Sequence, residues 1–314
     1  MIIGLNGKCI QEEQAVVSVY DHGFLYGIGL FETFRTYDGV PFLLDEHIER
    51  LVGACKELGI QYDPNERQLR NHINELLARN GLKDGYVRLS VSAGVQPLGL
   101  PSGDYTTPNV IVYVKALPKL SPSSDQGKAL QLLKLRRNTP EGSVRMKSLH
   151  YMNNVLAKRE LSGYIWAEGA EGLQLDQHNH LAEGIVSNLF FVMDGRICTP
   201  SLATGILPGI TRAHVMELAK QEGLLVEEGL YTVEQLTSAQ EIWMTNSIQE
   251  ITPIHIVFDT EGNTIWQSSS QSKYESSKET LQSQSLMQSS YNAQLKAAYA
   301  QSIHSGNGST FDRT

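Results

Sequence analysis

Cysteine is scarce in this 314-residue chain, with only Cys9, Cys55 and Cys198, all far apart. An odd, scattered set gives no disulfide framework and no zinc motif. The reducing cytoplasm is therefore the expected compartment, and no metal site is expected. No apolar run approaches the roughly 20 residues that a membrane helix needs. Met1 to Lys8 shows neither the basic start nor the apolar stretch of a signal peptide. Positive charge is in deficit as well: 26 Lys and Arg against 34 Asp and Glu leave a net −8. That balance weighs against nucleic acid or an anionic membrane as partner and has no bearing on a local basic pocket for a small dianionic ligand. What the chain does have is 41% hydrophobic residues, enough for the core of a globular enzyme of one large or two medium domains.

The pattern along the chain predicts two α+β domains. Asn6-Gly7 marks a hairpin, and a glycine-rich stretch from His22 to Gly29 precedes a β-prone run, Phe31 to Tyr37. Ile48, Leu51, Val52, Cys55 and Leu58 recur at helical spacing up to Gly59, as do Leu69, Ile73, Leu76 and Leu77 up to Gly81. Strands are expected at Tyr86–Ser92 and Val110–Val114. This gives a small domain over 1–117 and a Pro/Ser/Gly-containing linker over 118–127. A larger domain over 128–266 follows, with a loop Arg136–Met146, a helix from about Ser148 to Leu161, a strand Val186–Met193 and a helix Thr211–Glu222. The tail, 267–314, is rich in Ser and Gln and too poor in apolar residues to build a core; it has room for a short helix near Leu295.

Lys147 sits at a loop–helix junction, where a desolvated amine becomes a usable nucleophile. Its run, Arg145-Met146-Lys147-Ser148-Leu149-His150-Tyr151-Met152-Asn153-Asn154, is followed by Glu183-Gly184-Ile185-Val186-Ser187-Asn188 and by Gly205-Ile206-Leu207-Pro208-Gly209-Ile210-Thr211-Arg212. These three runs, in this order, resemble the fold-type IV pyridoxal-phosphate enzymes, and the resemblance covers residues 1 to about 258. It implies a two-domain α+β fold like that of D-amino-acid aminotransferase, pyridoxal 5'-phosphate as cofactor, and a homodimer.

The resemblance also implies roles. Lys147 is the cofactor's attachment point and the catalytic proton carrier, and Glu183 pairs with the pyridine nitrogen, keeping the ring protonated. Arg50 lies on the cofactor phosphate. Ile210 and Thr211 open a helix whose N–H groups can cradle that phosphate, with Thr245, Asn246 and Ser247 on its other side. Ser187 and Asn188 line the cofactor, and Leu207 lies against the ring.

Within the family, the D-amino-acid aminotransferases carry a carboxylate trap where this chain has Leu98 and Leu100. The branched-chain enzymes' Gly-Gly-Asn-Tyr run is here Ser148-Leu149-His150-Tyr151. Asp21-His22-Gly23-Phe24-Leu25-Tyr26-Gly27, Arg136 to Ser143, and Met244 to Ile251 look like the aminodeoxychorismate lyases of Bacillus-type bacteria. That subgroup converts 4-amino-4-deoxychorismate to 4-aminobenzoate and pyruvate, a step of folate biosynthesis. Its substrate has two carboxylates, so Arg35, Arg145 and one of Arg136 or Arg137 are the expected cations, with Tyr26 and Phe31 as walls. His22 and His150 read as structural histidines. One scaffold hosts both lyase and transaminase chemistry. A D-amino-acid or branched-chain aminotransferase therefore stays open, as does a cofactor-free binding protein of the same fold.

Overall fold

The computed structural model describes residues 1–118, 127–268 and 290–306. They divide into two compact units. The first contains the residues up to 118, Met146–Tyr151 and those from Ile303 on; the second contains 127–145 and 152–302. Lys147, expected inside the second domain, thus belongs to the first unit. Most of the expected linker and tail (119–126, 269–289 and 307–314) lies outside the described residues.

The first unit is a six-stranded antiparallel sheet in the order β2-β1-β6-β5-β3-β4. Its strands are β1 (Ile2–Leu5), β2 (Lys8–Gln11), β3 (Gly29–Tyr37), β4 (Val40–Pro41), β5 (Tyr86–Ser92) and β6 (Asn109–Lys115). Asn6 and Gly7 both take positive φ, 50° and 77°, as the two-residue turn between β1 and β2 requires. The short helix α1 (His22–Tyr26) is capped by Asp21, whose carboxylate accepts the Gly23 N–H. Helices α2 (Leu44–Glu57) and α3 (Glu66–Arg79) cover one sheet face. Ile48, Leu51, Cys55, Ile73 and Leu76 pack there with Leu30, Phe34, Val87, Leu89 and Val112. Strand pleating sends the alternate residues of β3 and β5 to the opposite face, where Phe31 faces Ser90, Thr33 faces Arg88 and Arg35 faces Tyr86.

The second unit is built from β7 (Lys128–Leu132), β8 (Glu171–Leu175), β9 (Leu181–Gly184), β10 (Asn188–Met193), β11 (Arg196–Pro200), β12 (Val226–Gly229), β13 (Glu241–Asn246), β14 (Glu250–Phe258) and β15 (Thr264–Gln267). Its sheet runs β12-β11-β10-β13-β14-β7-β8-β9 and closes on itself because β9 also pairs with β10, at Glu183 and Asn188. Helices α4 (Met152–Leu161), α5 (Ile210–Gln221), α6 (Val233–Thr237) and α7 (Tyr291–Gly306) complete the unit, α7 through Ser302. The expected helix at Ser148 begins instead at Met152. The reason is that the Phe31 N–H donates to the Lys147 carbonyl and the Leu149 N–H to the Gly29 carbonyl, both at 2.9 Å. Residues 147–149 therefore run as an extra strand segment along β3. The expected strand Val186–Met193 starts two residues later, at Asn188, with Val186 and Ser187 in the turn between β9 and β10. No helix among the described residues is long and apolar enough to cross a membrane.

Candidate functional site

In the first unit, the bridge between Leu30 and Ser148 puts Lys147 directly across from Phe31 and on the same sheet face. The Lys147 ammonium lies 4.7 Å from the centroid of the Phe31 ring, and the Arg88 guanidinium carbon lies 3.6 Å from it. One buried ring thus carries two cations, an arrangement whose residual positive charge suits an anion. Arg88 was not among the residues that the sequence singled out. Its signal was a charge at a polar position of an alternating strand, between the apolar Val87 and Leu89 and in step with Ser90 and Ser92. Arg35 shares this face, four residues further along β3, with its guanidinium 4.5 Å from the Tyr37 ring. Tyr26 accepts the Gly99 N–H on its hydroxyl, and its carbonyl accepts from His150 at 3.1 Å. A side chain at Gly27 would strike that imidazole, so α1 ends directly behind the Lys147 segment.

On the helix side of β3, Glu32 is buried against α2. Arg50 grips its carboxylate with Nε at 2.8 Å and Nη2 at 2.6 Å, and His47 Nδ1 donates to it at 2.6 Å. Burial works to raise the Glu32 pKa, but the charges and hydrogen bonds of Arg50 and His47 outweigh it and bring it down to about 2. Burial also lowers the pKa of His47, despite the attraction of Glu32, so the ring is neutral and donates through Nδ1–H. Arg50, expected on a phosphate, is thus anchored through a carboxylate that the sequence did not single out.

In the second unit, Glu183 is buried and its carboxylate is fixed on three sides. Arg137 Nε donates to it at 2.7 Å, the Leu207 N–H at 3.0 Å and Asn188 Nδ2 at 3.2 Å. A carboxylate offers about four acceptor positions, which leaves one for a ring N–H. Arg137 also donates to Asn138 and Asn153, so its guanidinium, expected at the substrate, is spent on holding Glu183 and the two amides. Arg145, also expected at the substrate, has backbone partners. It is buried, and it donates to the Gly205 and Asn138 carbonyls, stapling two loops together. Burial and the neighbouring Arg137 lower its pKa to about 10, which still leaves it charged at neutral pH. Arg136 is exposed and donates to Asn179.

Helix α5 starts after Gly209, which offers no side-chain cap, so its first-turn N–H groups are available to an anion. Thr211 and Ser247 hydroxyls lie 3.2 Å apart, and Thr245 pairs with Asn188 across β13 and β10. Asn246 accepts the Ile248 and Gln249 N–H groups and shapes the turn carrying Ser247. Two hydroxyls in this region, Ser187 Oγ and Thr245 Oγ1, are buried without a hydrogen-bond partner among the described residues. Orphaned hydroxyls, an uncapped helix start and a carboxylate with one open position are the donor and acceptor set that a phosphorylated pyridinium requires.

Residues 29–257 match the family model for amino-transferase class IV. The chain is 48% identical over 255 residues to the aminodeoxychorismate lyase of Bacillus subtilis (strain 168), covering 80% of this chain and 85% of the relative. Among solved structures, the 4-amino-4-deoxychorismate lyase from Pseudomonas aeruginosa superposes with a TM-score of 0.74 at 29% identity, covering 87% of this chain and 96% of that one. The T.th. branched-chain amino acid aminotransferase complexed with N-(5'-phosphopyridoxyl)-L-glutamate gives 0.70 at 31% identity, covering 82% and 85%.

Proposed function

The chain belongs to the amino-transferase class IV family, and from that premise we propose that it is a pyridoxal-5'-phosphate-dependent 4-amino-4-deoxychorismate lyase. Its α+β, fold-type IV architecture is that of the solved relatives. The observation that carries the reading is the 48% identity to a lyase over most of both chains. The site supplies a consistent chemistry. The exposed Leu98 and Leu100 stand where D-amino-acid aminotransferases keep their carboxylate trap, which counts against that alternative.

Pyridoxal phosphate, when bound, supplies an electron sink for the carbon that carries the substrate amine. The phosphate is assigned to the N–H groups of Ile210 and Thr211, to the Thr211 and Ser247 hydroxyls and to Arg50, which Glu32 orients. Glu183, steadied by Arg137, accepts the ring N–H. Ser187, Asn188, Leu207 and Thr245 line the ring, with Asn246 setting the turn. Lys147 would hold the cofactor, and its amine is the base assigned to the proton on C4 of the substrate. Breaking the neighbouring C3–O bond then expels the side chain as enolpyruvate, which gains a proton to become pyruvate, and the six-membered ring becomes aromatic as 4-aminobenzoate. Arg88 is assigned to one substrate carboxylate and Arg35 to the other, with Phe31 and Tyr26 as walls. The product places the enzyme in folate biosynthesis, and its three free cysteines suit the cytoplasm.

Supplied with aminodeoxychorismate and no 2-oxo acid, the protein is expected to release 4-aminobenzoate and pyruvate in equal amounts. Arg88→Gln should raise the Michaelis constant about tenfold or more, the loss of one charge-assisted pair. A strict requirement for an amino-group acceptor would instead identify a transaminase. We also infer a homodimer. Val19, Phe24, Val95, Leu98 and Leu100 are exposed apolar residues on segments tied together by the Asp21–Val95 bridge and the Tyr20–Gln96 backbone bond. Light scattering should give twice the 34.8 kDa chain mass, and a monomeric mass at working concentration would refute the inference.

A further inference from the structure

We propose that Cys9, His72 and Glu75 form a divalent-cation site of zinc-like preference, separate from the cofactor and substrate residues. Cys9 lies on β2 across the hairpin from Gly4. His72 and Glu75 are three residues apart on α3 and so share one helix face. The Cys9 sulfur lies 3.8 Å from His72 Nδ1, and one potential ligand atom from each of the three residues lies within 4.8 Å of the others. Bonds of about 2.3 Å to sulfur and 2.0–2.1 Å to nitrogen at a tetrahedral angle separate the two ligands by about 3.5 Å. The thiol and imidazole therefore already stand close to the spacing that zinc imposes.

The imidazole reaches this position because residue 4 is glycine. A Cβ there would come within 2.4 Å of His72 Nε2. Glu75 is at present paired with Arg79 at the surface and must turn from it to complete the set. Three protein ligands leave a fourth position for water. Soft sulfur with imidazole selects zinc over magnesium or calcium, which prefer oxygen. Spacing between cysteines could not reveal such a site, because it joins one cysteine to a helix more than sixty residues away. Its occupation would clip the edge strand β2 to α3.

The test is a calorimetric titration of tag-free, cofactor-loaded protein with Zn²⁺, alongside peptide-resolved alkylation of Cys9. One Zn²⁺ per chain is expected. That site should disappear in Cys9→Ser and weaken about tenfold or more in His72→Gln, while both variants keep their turnover. Zn²⁺ should slow Cys9 alkylation about tenfold in the unmodified chain, and the buried Cys55 and Cys198 provide no competing thiol. Retention of the same Zn²⁺ site in Cys9→Ser, or alkylation of Cys9 at a rate indifferent to Zn²⁺, would overturn the proposal.

Discussion

Lys147→Ala is expected to lower kcat by at least about 10²–10⁴-fold, the range for losing a positioned acid–base group, with the loss of cofactor attachment added to it. The fold should survive. The segment is held to β3 by the backbone bonds of Phe31 and Leu149 and by packing of Met146 into the core, none of which involves the lysine side chain. Truncation also removes one of the two cations on the Phe31 ring and leaves Arg88 in place. The variant should therefore melt within a few degrees of the parent and still bind substrate, but without catalysis. Steady-state kinetics and a thermal melt on the same preparation check both halves. A variant that kept more than a tenth of the parental kcat would remove Lys147 from the chemistry.

Glu32→Gln should produce the largest loss of stability among single changes to the described polar groups. It leaves the Arg50 guanidinium and the buried His47 facing a neutral amide in place of a carboxylate. Breaking a buried pair in this way costs about 3–5 kcal/mol. The carboxylate's own titration gives a similar figure. Its folded pKa of about 2 lies below the ordinary 4.5, and 2.5 units at about 1.4 kcal/mol each amount to roughly 3 kcal/mol. Because the folded value is depressed, this stability is fully present above the unfolded pKa and is lost as pH falls from about 5 toward 2. Urea titrations of parent and variant should therefore differ by roughly 3 kcal/mol at pH 7. The gap should be smaller by about 1–1.5 kcal/mol at pH 3.5. A gap that did not change with pH would mean that the ionised carboxylate is not its source. Orientation of Arg50 should be lost as well, so a higher cofactor concentration is needed to saturate the variant.

The local elements were legible in the sequence because they depend on neighbours in the chain. Asn6-Gly7 turns β1 into β2, Gly59 and Gly81 follow the ends of α2 and α3, and Tyr86–Ser92 is β5 as expected. What escaped depends on residues distant in sequence. Helical periodicity began at Ser148, yet β3, more than a hundred residues earlier, captures 147–149 by backbone hydrogen bonds and delays α4 to Met152. The short strands β9, β12 and β15 were missed because each is only four residues long and takes its pairing from other strands of the sheet. Among the arginines, residue type alone could not separate a substrate cation from a structural one. Arg137 belongs to Glu183, 46 positions on, and Arg145 to two carbonyls. Arg88 has nothing in its local sequence to announce that Phe31, on β3, lies beside it. The second-unit residues that the family resemblance implied lie close to one another: Glu183 with Asn188 and Leu207, and Thr211 with Ser247.

The most direct test of the central claim, that the amine presented beside β3 carries the cofactor, is borohydride reduction of the pyridoxal-phosphate-loaded protein followed by peptide mapping. The account predicts one phosphopyridoxyl group per chain, on Lys147, with the visible absorbance bleached in step. A phosphopyridoxyl group on a different lysine, or none on a protein that still turns over, would contradict it.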